Sequence, residues 1–230
     1  MMKLSIIIPA YNEANNIGRL IVYLLNNTKG ISAEVIVVDG GSADETREIA
    51  KSAGAMVFLS PNKGRAAQMN YGAAIARSQV LYFVHADTYP PAGFADDIIK
   101  AVREGFGIGR YQTKFDSTSP LLKLNAFFTR FDLFMCYGGD QTLFITKGLF
   151  TQLGGFDSSM QIMEEYDLVK RARAMARYKI FPHKTLVSAR KYEKNSWWRV
   201  QRANYTVISL YKKGASQELM TATYKKMLYD

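Results

Sequence analysis

Residues 33–50 read AEVIVVDGGSADETREIA, an apolar run that ends on Asp39, two glycines and Ser42 before a segment of helical composition. The run does not alternate with polar residues, which is typical of a strand buried on both faces of a parallel sheet. Ser42 precedes Glu45 by three residues, the spacing of a capping box, which predicts a helix beginning at Ser42. The stretch therefore predicts a strand, a tight loop and a helix.

The same alternation of strand and helix recurs on both sides of this stretch. Three further apolar runs are LSIIIPA (4–10), AMVFLS (55–60) and QVLYFVHAD (79–87). The segments between them have helical length, at 14–25 and 64–77, and the first carries an apolar stripe. Strand and helix thus alternate four times, which predicts an α/β fold with a mostly parallel, Rossmann-like sheet and flanking helices.

The second half of the chain is less regular. It predicts a strand at 106–116, an amphipathic aromatic helix from Leu121 to Cys136, and a strand with a short helix at 140–152. The stretch MEEYDLVKRARAMA (163–176) begins acidic and ends basic, as the helix dipole favours. A basic aromatic tail from about Asn195 predicts two helices that break near Gly214.

Composition limits the classes of protein to consider. The chain has 230 residues, of which 48% are hydrophobic, enough for a large globular core. The single cysteine, Cys136, excludes an internal disulfide framework and favours a reducing compartment, so we expect a cytoplasmic protein. The N-terminus reads as a first strand rather than a signal peptide, and no apolar run reaches the roughly 18 residues of a membrane span.

The positive charge is concentrated at the C-terminal end. The net charge is +10, and residues 190–230 carry nine Lys or Arg against three acids. Aromatic and basic residues mix in 191–213, which suits peripheral association with a membrane, for a cytoplasmic protein at its inner face. The same composition also suits a helix that packs on the domain with its basic face in solvent, and both interpretations stay open. Nucleic acid is a less favoured partner because no recognisable binding module accompanies the charge.

Polar residues follow three of the predicted strands where each one ends. Glu13 lies in PAYNE, Asp39 precedes the glycine pair, and Asp87 follows His85. Ligands bind at the carboxyl ends of strands in open α/β sheets, so we expect these carboxylates at one rim. Turns also need polar residues, but three carboxylates together favour a ligand site.

Six segments resemble the family-2 inverting glycosyltransferases of the GT-A fold, and they come in that family's order. They are SIIIPAYNEANNI, VIVVDGGSADETREIA, KGRAAQMNYGAA, HADT, GGDQTLF and LGGFDSSMQIMEEYDLVKRAR. The short length, HADT and GGDQ resemble a short bacterial subgroup. The resemblance implies transfer of a sugar from a nucleotide-diphospho-sugar, with UDP-sugars among the candidates, to an unknown hydroxyl acceptor. It divides the chain into a catalytic domain (1–190, with a nucleotide-binding half at 1–90 and an acceptor half at 91–190) and a tail (191–230).

The resemblance also implies roles for individual residues. The donor nucleotide would contact Pro9, Ala10, Tyr11, Glu13, Asp39, Lys63, Arg65, His85 and Ala86. Arg190 would assist the diphosphate, and Asp140 and Gln141 would line the acceptor or sugar pocket. Lys63 is equally well explained as a solvated charge before a helix. We place His183 in a loop, where it is a candidate contact for phosphate or metal, although a lone histidine there is more often structural or exposed.

HADT occupies the family's D-x-D position, where the last carboxylate binds a divalent cation. Asp87 would therefore ligate Mg²⁺ or Mn²⁺ together with phosphate oxygens and water. His85 replaces the first acid of that motif and would contact ribose or metal, or cap the strand end.

An inverting transfer needs one carboxylate to deprotonate the acceptor hydroxyl. MEEYD stands where the family carries its acidic pair, and Glu165 matches the expected aspartate. The resemblance thus implies Glu165 as the base, with Glu164 shaping the site, whereas Asp167 merely complements the helix dipole.

Two other functions remain as alternatives. A nucleotidyltransferase that forms nucleotide sugars would carry a Gly-rich loop with arginine after the first strand, where this chain has PAYNEAN. A non-catalytic protein that binds nucleotide sugars or docks on membranes would keep the fold without needing Glu165.

Overall fold

The computed structural model describes residues 3–138 and 141–229 of the chain, so the predicted acceptor residue Asp140 lies outside the described residues. The strands are β1 (Leu4–Ala10), β2 (Ala33–Asp39), β3 (Met56–Leu59), β4 (Val80–Phe83), β5 (Thr88–Tyr89), β6 (Phe106–Phe115), β7 (Leu143–Thr146) and β8 (Arg177–Val187). The helices are α1 (Ala14–Asn26), α2 (Thr46–Ser52), α3 (Arg65–Ile75), α4 (Phe94–Arg103), α5 (Pro120–Phe128), α6 (Lys147–Gln152), α7 (Glu164–Arg173), α8 (Arg190–Lys194), α9 (Trp197–Lys212) and α10 (Gln217–Tyr229).

In the described part of the chain, eight strands form one sheet in the order β3-β2-β1-β4-β7-β6-β8-β5. The pairs β2·β3, β1·β2, β1·β4 and β6·β8 are parallel. Strand β7 runs antiparallel to both β4 and β6, and β5 is antiparallel to β8. The predicted α/β fold with a mostly parallel sheet and flanking helices is confirmed.

Hydrophobic cores lie on both faces of the sheet. Ile6 and Ile8 of β1 pack in one core with α1 and α4, whereas Ile7 packs in the other with α3 and α7. This explains why β1, β2 and β4 read as continuous apolar runs. The prediction of burial on both faces is wrong for β3, because β3 is an edge strand and Leu59 is 57% exposed.

Helix α3 lies unusually close to the sheet at Gly72. A Cβ atom at Gly72 would stand 2.5 Å from Cγ2 of Ile7 on β1. Only a residue without a side chain permits this approach. The close contact fixes the distance between α3 and β1, and the first turn of the same helix carries Arg65.

Two predicted helix boundaries are wrong. Helix α2 begins at Thr46 rather than at Ser42, because the Ser42 side chain bonds to the Asp39 carboxylate instead of capping a helix. The predicted helix from Leu121 to Cys136 is interrupted, since α5 ends at Phe128 and a short 3₁₀ turn follows at Phe134–Cys136. The interruption coincides with Arg110, whose guanidinium donates to the Thr129 and Phe131 carbonyls.

The position predicted for His183 is also wrong, because this residue lies in strand β8 rather than in a loop. Strand β8 pairs with the long strand β6 up to Phe181 and again from Lys184, and His183 lies in the register shift between these two paired parts. His183 is exposed there, and its Nδ1 lies 3.0 Å from Oδ2 of Asp97 on α4.

The tail forms two helices that break at the predicted glycine, with α8 before them. Val200 and Ala203 of α9 pack against Leu228 of α10. The tail also contacts the rest of the chain, because Tyr211 stacks on Phe134 with ring centroids 6.1 Å apart. Within the described residues no helix is both long enough and apolar enough to cross a membrane.

Candidate functional site

The order of the strands reverses direction beside β1, and this reversal positions a cavity. The chain passes from β1 to β2 and β3 on one side, and β4 then lies on the other side of β1. Such a switch point leaves a crevice beyond the carboxyl ends of the two central strands. A cavity of about 230 Å³ lies there, lined by Pro9, Ala10, Tyr11, Glu13, Arg65, Gln68, His85, Ala86, Asp87 and Arg190. All but Gln68 were predicted as site residues.

The loop after β1 is held in an unusual conformation by the loop after β2. Asn12 has a φ of +54°, and Asn12 and Met163 are the non-glycine residues with positive φ in the described part of the chain. The Asn12 amide donates to Ser42 Oγ at 2.9 Å, and the Glu13 amide donates to Thr46 Oγ1 at 2.8 Å. Backbone conformations of this kind are concentrated at functional sites, and the next residue, Glu13, lines the cavity.

Asp44 joins the same two loops. Its Oδ2 accepts a hydrogen bond from the Ala14 amide at 3.2 Å, and its Oδ1 accepts from the Thr46 amide at 3.1 Å. The hydrogen bond from the Thr46 hydroxyl lowers the pKa of the Asp44 carboxyl. The charged form of Asp44 therefore helps to keep the loop that carries Glu13 in place.

Asp39 supports its own loop and does not line the cavity. The carboxylate is fully buried, and Oδ1 accepts hydrogen bonds from the Gly41 and Ser42 amides at 2.9 Å each. The Ser42 hydroxyl donates to Oδ2. The predicted contact between Asp39 and the base or ribose stays a prediction.

Arg190 connects two carboxylates from different strand ends. Its Nη2 lies 2.6 Å from Oε1 of Glu13, and its Nε lies 3.2 Å from Oδ2 of Asp87. Arg190 comes from α8, which begins three residues after β8. The arrangement gives one face of the cavity two acids and one guanidinium.

The acidic pair of α7 contacts two residues that line the cavity. Glu164 is fully buried and pairs with Arg65 at the start of α3. Glu165 is 4% exposed, and its Oε1 lies 2.9 Å from Nε2 of His85. Met163, with a φ of +70°, directly precedes the pair and sets the direction in which the helix begins. Residues from β4, α3 and α7, far apart in sequence, thus meet at one site.

Gln68 is the site residue that the sequence analysis missed. It lies one turn after Arg65 on α3 and is buried. Its Nε2 donates to the carbonyl oxygens of Ala10 and Val38, both at 2.8 Å. Gln68 therefore ties α3 to the ends of β1 and β2. The available signal in the sequence was a polar side chain, Gln68, directly between Ala67 and Met69 in a helix that packs on the sheet.

The other predicted residues lie in different surroundings. Tyr11 lines the cavity and is 61% exposed, so its ring is available to stack on a flat ligand. Lys63 is exposed in the loop before α3 and is not among the lining residues. Gln141 is partly buried just before β7, outside the lining, and His183 also lies outside it.

The residues present suit a divalent cation that substrate oxygens help to bind. Within residues 3–138 and 141–229 no group of three or more His, Cys, Asp or Glu could hold a metal by itself. Asp87 and Glu13 nevertheless both line the cavity and both pair with the cationic group of Arg190. Mg²⁺ is usually bound through one or two carboxylates plus phosphates and water, so this donor set fits.

The chain is similar to known glycosyltransferases. The family description "Glycosyl transferase family 2" matches residues 5–152. An uncharacterized glycosyltransferase of Rickettsia typhi is 31% identical over 209 residues, covering 82% of this chain and 64% of the relative, so the chain spans less than two thirds of that relative's length.

Two solved structures share the fold. The mannosyltransferase PcManGT of Pyrobaculum calidifontis, in complex with GDP-Man and Mn²⁺, matches with a TM-score of 0.69 at 18% identity, over 92% of this chain and 64% of that one. Residues 1–349 of S. aureus TarS, in complex with UDP-GlcNAc, match with a TM-score of 0.65 at 18% identity, over 81% and 58%. The expected GT-A fold is confirmed by these neighbours. On the match to residues 5–152, this chain belongs to glycosyl transferase family 2.

Proposed function

We propose that this protein transfers a sugar from a nucleotide-diphospho-sugar to a hydroxyl acceptor, with inversion at the anomeric carbon. One observation carries the proposal: a single cavity at the switch point of the sheet brings together Arg65, His85, Asp87 and Arg190, and the first two contact Glu164 and Glu165. The relatives are glycosyltransferases, and the solved neighbours hold GDP-Man or UDP-GlcNAc.

The donor is proposed to lie with its nucleoside against the end of β1. Pro9, Ala10 and the exposed ring of Tyr11 offer an apolar and aromatic wall, and Glu13 can accept hydrogen bonds from ribose or base. Arg65 and Arg190 supply positive charge for the diphosphate. Asp39, Lys63 and Ala86 remain proposed donor contacts, and Asp140 and Gln141 remain proposed acceptor contacts.

Glu165 is proposed as the base. It takes the proton of the acceptor hydroxyl while the acceptor oxygen forms a bond to the anomeric carbon. The bond from that carbon to the phosphate oxygen breaks, and the nucleoside diphosphate leaves with the electron pair. His85 holds the Glu165 carboxylate through the contact at 2.9 Å, and Arg65 pairs with Glu164 beside it.

Asp87, with Glu13 beside it, would hold Mg²⁺ or Mn²⁺, which would neutralise the charge that develops on the leaving diphosphate. Arg190 and Arg65 contribute positive charge to the same region from the protein itself.

The catalytic domain is proposed to end at residue 190 and the tail to follow it, because β8 ends at Val187 and α9 and α10 form a core of their own. The protein is also proposed to belong to the short bacterial subgroup with HADT and GGDQ. Its proposed location is the cytoplasm, where the buried thiol of Cys136 stays reduced. Peripheral association of 191–213 with a membrane also belongs to the proposal, supported by Trp198 and Tyr205, which are 72% and 74% exposed.

A thermal-shift screen tests the donor class. Nucleoside diphosphates and nucleotide sugars would be added with and without Mn²⁺, since a ligand that binds the native state raises the melting temperature. We expect stabilisation by a diphosphate that depends on the metal, with UDP-sugars tested first. Stabilisation by nucleoside triphosphates and sugar phosphates instead would favour a nucleotidyltransferase.

Stereochemistry tests the mechanism. With a donor from the screen, NMR of the first product should show the anomeric configuration opposite to that of the donor. Retention would contradict the role of Glu165. Donor binding without transfer or donor hydrolysis would favour a non-catalytic protein.

A further inference from the structure

Helix α5 and the residue shortly after it expose a continuous apolar surface. We define the α5 surface as Leu121, Leu124, Phe127, Phe128 and Phe131, which are 38%, 48%, 44%, 42% and 44% exposed. The three phenylalanine rings contact one another, with centroids 5.7 Å and 6.4 Å apart. Leu121, Leu124, Phe127 and Phe128 fall within an arc of about 120° on a helix of 3.6 residues per turn. They therefore form one face.

The α5 surface faces outward because the opposite side of the helix is anchored. Leu122 is 3% exposed, and the Thr129 hydroxyl accepts a hydrogen bond from the Thr113 amide of β6 at 2.9 Å. Arg110, also buried on β6, donates to the Thr129 carbonyl at 2.6 Å and to the Phe131 carbonyl at 3.1 Å. Hydrogen bonds from β6 thus hold the end of α5 so that its apolar face points toward solvent.

Basic residues border this surface. A second cavity of about 310 Å³ lies beside Phe127, and its charged lining residues are Lys114, Lys123, Arg130 and Lys184, with no acid among the lining residues. Arg130 lies over the Phe127 ring, with Cζ 4.1 Å from the centroid. Asp132, the acid nearest in sequence on the C-terminal side, pairs with Arg173. The surface therefore combines apolar side chains with positive charge.

We propose that the α5 surface docks on a membrane that contains anionic phospholipids. The leucines and phenylalanines would enter the boundary between headgroups and acyl chains, as apolar faces of interfacial helices do. The lysines and Arg130 around the second cavity would contact lipid phosphates, because basic residues next to an inserted face bind anionic leaflets. This interaction goes beyond the proposed sugar transfer and does not require it.

Charge favours a lipid surface over other occupants. A second copy of the chain would form an isologous contact, which places Lys123 and Arg130 near the same residues of the partner. A net charge of +10 adds to that repulsion. Single-stranded nucleic acid would use the phenylalanines for stacking but would leave Leu121 and Leu124 without a flat partner. Anionic lipid matches both the charge and the aliphatic part.

The α5 surface is a different segment from the tail predicted at 191–213, but it contacts that tail at Tyr192 and through it is connected to the site. Phe115 contacts Tyr192 edge to face with centroids 5.8 Å apart, and Asn125 of α5 donates to the Tyr192 hydroxyl at 3.4 Å. Tyr192 lies on α8 two residues after Arg190. Docking through α5 would thus orient the cavity relative to the membrane.

Vesicle flotation with the full chain tests the proposal. The probes are vesicles of phosphatidylcholine alone and of phosphatidylcholine with phosphatidylglycerol. We expect flotation with the anionic vesicles, less with the neutral ones, and a decrease as salt is added. The double variant L124S/F128S should lower the partition coefficient about tenfold or more. The control V22S changes a side chain of similar exposure, 49%, on α1 and should bind like the wild type.

If L124S/F128S has a lower melting temperature than the wild type, a second variant still tests the proposal. The variant K123Q/R130Q retains the apolar face and should lower binding to anionic vesicles by about fivefold for each charge removed, without changing binding to neutral vesicles. The variant W198S/Y205S tests the tail separately.

Four results would overturn the proposal. The first is that the wild type does not float with anionic vesicles, and the second is that both α5 variants float as well as the wild type. The third is that only W198S/Y205S loses flotation. The fourth is that the wild type forms a dimer or binds an oligonucleotide and that L124S/F128S abolishes this complex. The last result would assign the surface to a second copy or to nucleic acid.

Discussion

Nε2 of His85 lies 2.9 Å from Oε1 of Glu165, which connects the end of β4 to the first turn of α7. An aspartate at position 85 would place a second carboxylate beside Glu165, whereas a histidine can donate a hydrogen bond to it. His85 in HADT and Glu165 in MEEYD thus meet in the fold although they are 80 residues apart in sequence.

We first predict that His85→Ala lowers kcat about 10-fold to 100-fold and leaves the donor Kd nearly unchanged, because the Glu165 carboxylate loses a group that positions it. His85→Gln, which keeps an N–H donor, should restore part of the rate. Steady-state kinetics and calorimetric titration of the donor would measure the two effects. A higher donor Kd with an unchanged kcat would show that His85 binds the donor instead.

We next predict different losses at the two glutamates. Glu165→Gln should lower kcat about 10²-fold to 10⁴-fold with little change in stability, as expected for a general base. Glu164→Gln removes the charged partner of Arg65 from a fully buried position and should lower the free energy of unfolding by about 1–3 kcal/mol. Denaturant titration beside the kinetics separates the effects. If Glu164→Gln instead lowered kcat and Glu165→Gln lowered the free energy of unfolding, Glu164 would be the base.

Arg190 leads to a prediction about metal binding. Its guanidinium contacts Glu13 and Asp87, so it competes with a cation for both carboxylates when no donor is bound. Arg190→Ala should therefore tighten Mn²⁺ binding to the free protein and weaken binding of a nucleoside diphosphate. Arg190→Lys is the control, because it keeps a positive charge. Mn²⁺ titration followed by electron paramagnetic resonance would measure this, and weaker Mn²⁺ binding in Arg190→Ala would contradict it.

Asp44 leads to a prediction about pH. Its folded-state pKa is lowered from 3.8, so its contribution to stability is present above that value and is lost as pH falls through the folded pKa. Asp44→Asn should unfold at lower denaturant concentration than the wild type at pH 7, and the difference should shrink as pH falls below about 4. A difference that stays constant down to pH 2 would show that charge on Asp44 does not matter.

The sequence predicts the central sheet and the rim of the site well, because β1, β2 and β4 are buried on both faces and their polar ends converge. Glu13, Arg65, Asp87 and Arg190 are accordingly found around one cavity. The end of α5 was not predictable, because it depends on Arg110, a buried cation on another strand. Gln68 was missed for a similar reason, since its amide bonds to strand ends that are distant in sequence.

The final prediction concerns two glycines in helices. Gly72→Ala places a methyl group 2.5 Å from Ile7 Cγ2, so α3 must move away from β1, and overpacking of this kind costs about 1–3 kcal/mol of stability. Gly148→Ala on α6 is the matched control, because nothing lies within 4 Å of its added Cβ and the helix should gain about 0.5–1 kcal/mol. Denaturant titration of both variants measures the difference. Since α3 carries Arg65 and Gln68 at the cavity, Gly72→Ala should also weaken donor binding, whereas Gly148→Ala should not. Equal stability of the two variants would contradict the close packing of α3 on the sheet.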